Sequence, residues 1–365
     1  MSHYNKEMVS FYVTTRCNLD CKYCYTNKED YPEQRIDLDF AKCLLEDYFK
    51  TNYKKVVRFF AAGEPTMNLE AIKTILAYAN SLTDEEIKVE IQTNGMFDED
   101  IANWLAENVD YIWISCDGTP DVQDFYRPIF QSEKASSSIV EKNIRYLSSH
   151  CKEMVGVRMT ILNSNLHRQK EMLDYFYGLG VRDVWADPIF PSVGHKEPYE
   201  KIDLMEFAKE FVEACNHAER LGMFYGSNYT CNFDEDICHY CRACKPVPHA
   251  TTDGYVTACD MAMFKEQEGS NNEHMNVLIY GKWNPKTKSI EYDERKIDNI
   301  RNRNCEHMSH CENCIAKYHC GGYCLGEVTN ETGDLYGQLP QKCEVVRYLF
   351  THLSDNQKKY KYSHP

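Results

Sequence analysis

The sequence predicts an α/β fold in which six parallel βα units are followed by a smaller, cysteine-rich domain. Three observations carry the prediction. Strand-like and helix-like segments alternate through the first half of the chain, and most cysteines outside an early triplet lie from Cys231 onward. The 365 residues also suffice for one large domain with a companion, since domains commonly hold roughly 100 to 200 residues.

The alternation runs MVSFYVT, DFAKCLLEDYFKTN, KVVRFFA, LEAIKTILAYANSL, KVEIQTN, IANWLAENV, YIWISCD, SIVEKNIRYLSSH, VGVRMTIL, RQKEMLDYFYGLG and VRDVWADPI. The short β-branched and aromatic runs read as strands, and the segments between them carry apolar residues at helical spacing. Such alternation implies parallel strands joined by right-handed crossovers. Chemistry in these folds sits in the loops after the strands. A helix-like stretch from Asp203 to Leu221 closes this half, and from about Asn228 the composition shifts to loops and close-set cysteines. The expected organisation is therefore residues 1–227, residues 228–345 and a helical tail over 346–365.

Composition narrows the function. Apolar residues make up 43% and charged residues 27%, a balance that buries a core without a disordered tract. The amino terminus, MSHYNKEMVS, has no apolar signal region, and no run approaches the roughly 18 apolar residues of a spanning helix. A cytoplasmic protein without a membrane partner is expected. A formal charge of −15, from 41 basic and 56 acidic residues, argues against a nucleic-acid surface, which needs a basic footprint. Eighteen cysteines without a signal peptide point to metal ligation rather than disulfides.

The segment TTRCNLDCKYCY places Cys17, Cys21 and Cys24 three and then two residues apart, directly after the first predicted strand. Three thiolates on one tight loop hold three corners of an iron-sulfur cubane and leave the fourth iron without a protein ligand. Structural zinc would need a fourth Cys or His, which here would have to arrive from elsewhere in the fold. FAAGEPT ends the second predicted strand, QTNG the third and SCDG the fourth. Later, Cys311, Cys314, Cys320 and Cys324 form C-x2-C-x5-C-x3-C. Cys244 is followed by nine residues, Gly254, four residues and Cys259, and Cys343 lies downstream. Cys238 precedes Cys244 by five intervening residues, and Cys241 between them is an alternative to it. Taken alone, C-x2-C also suits zinc.

On these residues the sequence resembles the radical S-adenosylmethionine (radical SAM) superfamily, and its second half resembles the SPASM domain of peptide- and sulfatase-maturating enzymes. The resemblance runs from Met8 to about Cys343. It implies a partial (β/α)6 TIM barrel with a C-terminal SPASM domain, S-adenosylmethionine as cofactor and three 4Fe-4S clusters. Cys17, Cys21 and Cys24 would hold the cluster whose open iron chelates SAM, and electron transfer into the sulfonium would release a 5′-deoxyadenosyl radical. Tyr23 would lie by the adenine. Gly63, Glu64 and Pro65 would contact the SAM amino group, with Ala62 where the family usually has a first glycine; an alanine there still permits close backbone approach. Asn94 and Ser115 would meet polar groups of the cofactor, and Arg158 its carboxylate or ribose. Asp117 serves only to shape the turn with Gly118.

The same resemblance assigns Cys238, Cys244, Cys259 and Cys324 to one auxiliary cluster and Cys311, Cys314, Cys320 and Cys343 to a second. Asp260, following Cys259, stands where sulfatase-maturating relatives have a proposed base, so it is the candidate catalytic residue. Cys43, Cys116, Cys151, Cys215, Cys231 and Cys305 are left over and read as buried packing residues. The implied function is modification of a peptide or protein by hydrogen abstraction, giving a thioether or carbon-carbon crosslink or an oxidised side chain, and IYGKWNPKTKSIEYDERKIDNIRNRN looks like the corresponding stretch of peptide maturases. The implied partners are that substrate and a reductase such as flavodoxin or ferredoxin. The first strand begins so near the amino terminus that no leader-binding domain is expected ahead of it, so either a separate protein recognises the substrate's leader or the substrate needs none. The alternatives are a sulfatase maturase forming formylglycine and, in another class, a non-catalytic electron carrier or zinc scaffold.

Overall fold

The computed structural model describes residues 8–24, 26, 33–51, 55–60, 62–191 and 198–359. Tyr25 and Ala61 of the motifs above, and residues 360–365 of the expected tail, lie outside them.

All six expected strands form: β1 Val9–Phe11, β2 Val56–Phe59, β3 Lys88–Thr93, β4 Tyr111–Ser115, β5 Met154–Ile161 and β6 Asp183–Pro188. They pair in sequence order and in parallel, with partners such as Val57 opposite Val89, Ile91 opposite Ile112 and Val157 opposite Val184. These side chains are buried because helices cover the sheet, which is why the strands read as near-continuous apolar runs. The crossover segments carry helices α1 Leu38–Thr51, α2 Leu69–Ser81, α3 Glu99–Asn108, α4 Pro120–Tyr126, α5 Ser137–His150 and α6 Gln169–Gly178. Helix α7, Leu204–Leu221, follows; Asp203 caps its start and Gly222, at φ 66°, its end, a pairing of cap types that terminates helices cheaply.

Three features exceed the expectation. Helix α4 is inserted between β4 and α5. A seventh parallel strand, β7 Phe224–Gly226, pairs with β6. The cysteine-rich half also extends the same sheet: β8 His249–Ala250 lies parallel to β1, and β9 Tyr255–Thr257, β10 Ile279–Asn284 and β11 Ser289–Tyr292 follow it antiparallel. The eleven described strands thus run β11-β10-β9-β8-β1-β2-β3-β4-β5-β6-β7. The consequence is positional. The chain leaving β9 carries Cys259 and Asp260 to the place where β1 and β2 present Tyr12 and Arg58.

Candidate active site and cluster-binding cysteines

The loop after β1 is bound to the end of α4 and the segment that follows it. Asp20 N–H donates to the Pro128 carbonyl at 2.8 Å, Lys22 N–H to Tyr126 at 3.0 Å, and Phe130 N–H to Asn18 at 3.0 Å. Cys24 N–H donates to the Cys21 carbonyl at 3.1 Å, the turn that a C-x2-C spacing favours. Burial pushes the Cys21 thiol up to about 12, opposed by Arg127 and reinforced by Cys24 and Cys17, so the three sulfurs feel one another. A mononuclear zinc with Zn–S bonds of about 2.3 Å draws its sulfurs close together. Among the described residues, the three-membered ligand group within 4.8 Å is Cys238, Cys305 and Glu306, not this triplet. Three thiols spaced three and two residues apart on one loop suit a polynuclear cluster, whose ligands hang from different irons.

The GEP turn supports that loop from beneath. A side chain on Gly63 would put its Cβ 2.2 Å from the Arg16 carbonyl oxygen, and Glu64 N–H donates to that oxygen at 2.8 Å; only glycine fits. Ala62 adopts φ 64°, the left-handed region in which a Cβ costs about 1–2 kcal/mol. The alanine thus meets a conformational penalty that close approach alone does not reveal. Glu64 is buried, and its carboxylate accepts from Thr66 N–H (3.0 Å) and hydroxyl (2.7 Å), Thr93 hydroxyl (2.7 Å) and Asn94 N–H (2.7 Å). It braces the end of β2 to the end of β3. The Asn94 side-chain amide then donates toward the Cys17 sulfur at 3.7 Å and to the Asn18 side-chain Oδ1 at 2.7 Å. Pro65 opens a short turn of 3-10 helix, Pro65–Asn68, that leads into α2.

Tyr23 lines the cavity above the loop, and its hydroxyl donates to Asp117. Asp117 does more than shape its turn. Wholly buried, it accepts from Arg127 Nε at 2.8 Å and Nη2 at 3.1 Å, and from Thr160 N–H at 3.0 Å. The Arg127 guanidinium lies 5.3 Å from the Tyr23 ring centre. No sequence signal marked Arg127, because its partner is reached only through the fold. Ser115 and Arg158 share the same cavity. Arg158 stands 3.6 Å from Asp187 and 5.5 Å from the Trp185 ring centre.

The cavity, about 320 Å³, continues from Cys21 and Cys24 to Cys259, Asp260 and Cys324. Asp260 accepts from Tyr12 (3.1 Å), Arg58 (2.9 Å), Arg242 (2.9 Å) and His249 Nδ1 (2.9 Å). Burial opposes its charge, yet Arg58, His249 and Arg242 hold the carboxyl well below the usual range. An anion supplied with four donor groups is a weak proton acceptor.

Two cysteine sets form in the C-terminal half. Cys241, Cys244, Cys259 and Cys324 lie close enough to perturb one another's ionisation; Cys244 and Cys259 are buried, Cys241 and Cys324 half-buried. A Cβ on Gly326 would lie 2.8 Å from the Cys259 sulfur, which shows how closely the helix after Cys324 approaches. The buried Arg303 sits 4.0 Å from the Cys244 sulfur. Cys238, expected in this set, lies outside it, exposed. The physical reason is the turn in which Cys244 N–H donates to the Cys241 carbonyl at 3.1 Å, bringing those two thiols together. Cys311, Cys314, Cys320 and Cys343 form the second set: burial, then Cys343 and Cys314, push Cys311 up to about 11, and burial, then Cys343 and Cys311, raise Cys320. Of the leftovers, Cys116 is buried, with its sulfur 3.6 Å from the Gly118 carbonyl. Cys215 is buried against Tyr225, Cys43 and Cys151 are half-buried beside backbone carbonyls, and Cys231 lines the cavity.

Residues 11–176 match the family model described as the radical SAM superfamily. The radical SAM cyclopropyl synthase TigE of Paramaledivibacter caminithermalis is 21% identical over 383 residues, covering 96% of this chain and 74% of the relative. The structure of anSMEcpe with bound AdoMet superposes with a TM-score of 0.75 at 16% identity over 96% of both chains, and the same protein has been solved with AdoMet and the Cp18Cys peptide. Streptococcus suis SuiB bound to its precursor peptide SuiA gives 0.64 at 15% identity, covering 92% of this chain and 75% of SuiB. At these identities the structural likeness speaks for the fold. No described helix is long and apolar enough to cross a membrane.

Proposed function

We propose, from the premise that this chain is an enzyme of the radical SAM superfamily, that it modifies a peptide or protein side chain by hydrogen abstraction in the cavity between the first cysteine loop and Cys259. The supporting observation is that one cavity is lined at once by Cys21, Cys24, Ser115 and Arg158 and by Cys259, Asp260 and Cys324. When bound, AdoMet and its cluster supply the 5′-deoxyadenosyl radical. The protein's part is to hold the reactants and keep water out.

Cys17, Cys21 and Cys24 hold the SAM-binding cluster in this reading, with the Asn94 amide directed at the Cys17 sulfur. The Gly63–Pro65 turn, Tyr23, Asn94, Ser115 and Arg158 surround AdoMet. Trp185, Ile189 and Phe190 give the cavity an apolar wall. Cys241, Cys244, Cys259 and Cys324 hold one auxiliary 4Fe-4S cluster, and Cys311, Cys314, Cys320 and Cys343 the other. Asp260 stays in the catalytic set as the anion that fixes Arg58 and Arg242 along the wall; it takes a proton only when one of its donors gives way. A flavodoxin or ferredoxin supplies electrons.

The peptide-bound states of anSMEcpe and SuiB support a peptide substrate. The product in this reading is a thioether or carbon-carbon crosslink or an oxidised side chain. A second reading, formylglycine formation, is favoured by Asp260 directly following Cys259. Mass spectrometry of a candidate peptide separates them, because a crosslink and an oxidised serine each lose two hydrogens but fragment differently. Turnover of a small metabolite, with none on any peptide, would reject both. A non-catalytic carrier would release no 5′-deoxyadenosine under reductant.

A further inference from the structure

Two thiols outside both cluster sets, Cys238 and Cys305, face one another. Their sulfurs and a Glu306 carboxylate oxygen lie within 4.8 Å of each other. Cys305 N–H donates to the Cys238 carbonyl at 2.9 Å, a backbone contact that brings the two α-carbons close to the roughly 4.4–6.8 Å that a disulfide spans. Cys238 is exposed, whereas Cys305 is fully buried. Glu306 is already engaged: Lys317 Nζ donates to one oxygen at 2.8 Å and the Tyr318 hydroxyl to the other at 2.6 Å. An ammonium in that position opposes a bound cation, so the arrangement suits sulfur chemistry better than a metal ion.

We propose that Cys238 and Cys305 form a redox-active dithiol on the outside of the cysteine-rich region, oxidised by a low-molecular-weight disulfide to an intrachain bond. The inference rests on Cys241, rather than Cys238, completing the auxiliary set with Cys244. The exposed Cys238 thiolate attacks the small disulfide, forms a mixed disulfide and expels one thiolate. Cys305 then attacks the Cys238 sulfur and expels the second. Two electrons pass from the pair to the reagent, and the two protons leave with the two released thiols. Because Cys238 precedes Cys241 and Cys305 precedes Cys311, the bond staples the loop of one cluster set to the loop of the other.

The test incubates anaerobic, iron-loaded full-length protein with oxidised glutathione, blocks remaining thiols and maps peptides by mass spectrometry. The expected result is a Cys238–Cys305 linked peptide with iron unchanged at about twelve per chain, the content of three cubanes. Cys305→Ser should trap one glutathione on Cys238. Cys238→Ser should take up none and keep its iron. The proposal is overturned if Cys238→Ser loses about four irons while Cys241→Ser keeps them, if no linked peptide forms, or if zinc blocks both thiols without oxidant. Failure of the underlying enzyme reading shows separately, as wild-type protein that takes up no iron, since thiol exchange is read by mass in the same sample.

Discussion

Replacing Arg127 by Met tests how the first cysteine loop is held. The guanidinium makes two of the contacts to Asp117, at 2.8 and 3.1 Å, inside a site with no solvent access to the carboxylate. Breaking one side of a buried ion pair costs about 3–5 kcal/mol. Asp117 would keep its donors from Tyr23 and Thr160, which puts the expected loss at the lower end, about 3 kcal/mol. At about 1.4 kcal/mol per factor of ten, that is an increase of about 100-fold in local opening. Hydrogen exchange by mass spectrometry on iron-loaded protein reads it directly at the amides of Asp20, Lys22 and Phe130, which tie the loop to the end of α4 and the segment that follows it. Arg127→Lys should fall between, because a point charge replaces a planar fork. Unchanged exchange at those amides in Arg127→Met, with the rest of the chain also unchanged, would refute the reasoning.

The other predictions concern single contacts. Ala62→Gly relieves the left-handed backbone at φ 64° and should raise stability by about 1 kcal/mol, read as a higher denaturation midpoint at equal iron content. Gly326→Ala drives a Cβ to 2.8 Å from the Cys259 sulfur and should lower iron by about four per chain, one cubane, with 5′-deoxyadenosine release retained. Asp260→Asn removes the anion shared by Arg58, Arg242, His249 and Tyr12. With Arg58 and Arg242 no longer held in place, peptide modification should fall by about 100-fold while AdoMet cleavage persists; intact modification would remove Asp260 from the catalytic set.

The parallel half was legible because its signals are local. The KVEIQTN and YIWISCD runs end within two residues of β3 and β4, and the helices between strands keep their apolar spacing. What escaped depended on contacts distant in sequence. The β8 strand is only His249–Ala250, too short to show a period, yet its pairing with β1 puts the cysteine-rich half on the same sheet. Tyr12 and Arg58 carry no signal of their own within their strand-like runs; Asp260 meets them across more than 200 positions of chain. Spacing located the cysteine sets but left Cys238 and Cys241 interchangeable, since both precede Cys244 on one loop; the direction each thiol takes is decided by the turn. Asp117 was read as a turn former because Asp-Gly pairs so often are. Its role as the partner of Arg127 needed the helix α4 that the sequence reading did not anticipate.

In the proposed enzyme, three thiols on one loop leave an iron open to AdoMet. This is tested most directly by reducing anaerobic, iron-loaded protein with dithionite in the presence of AdoMet and quantifying 5′-deoxyadenosine and methionine. Both should form in equal amounts, and Cys24→Ala should abolish both while retaining about eight irons in the two other clusters. Wild-type protein carrying its full iron that releases neither product would contradict the account.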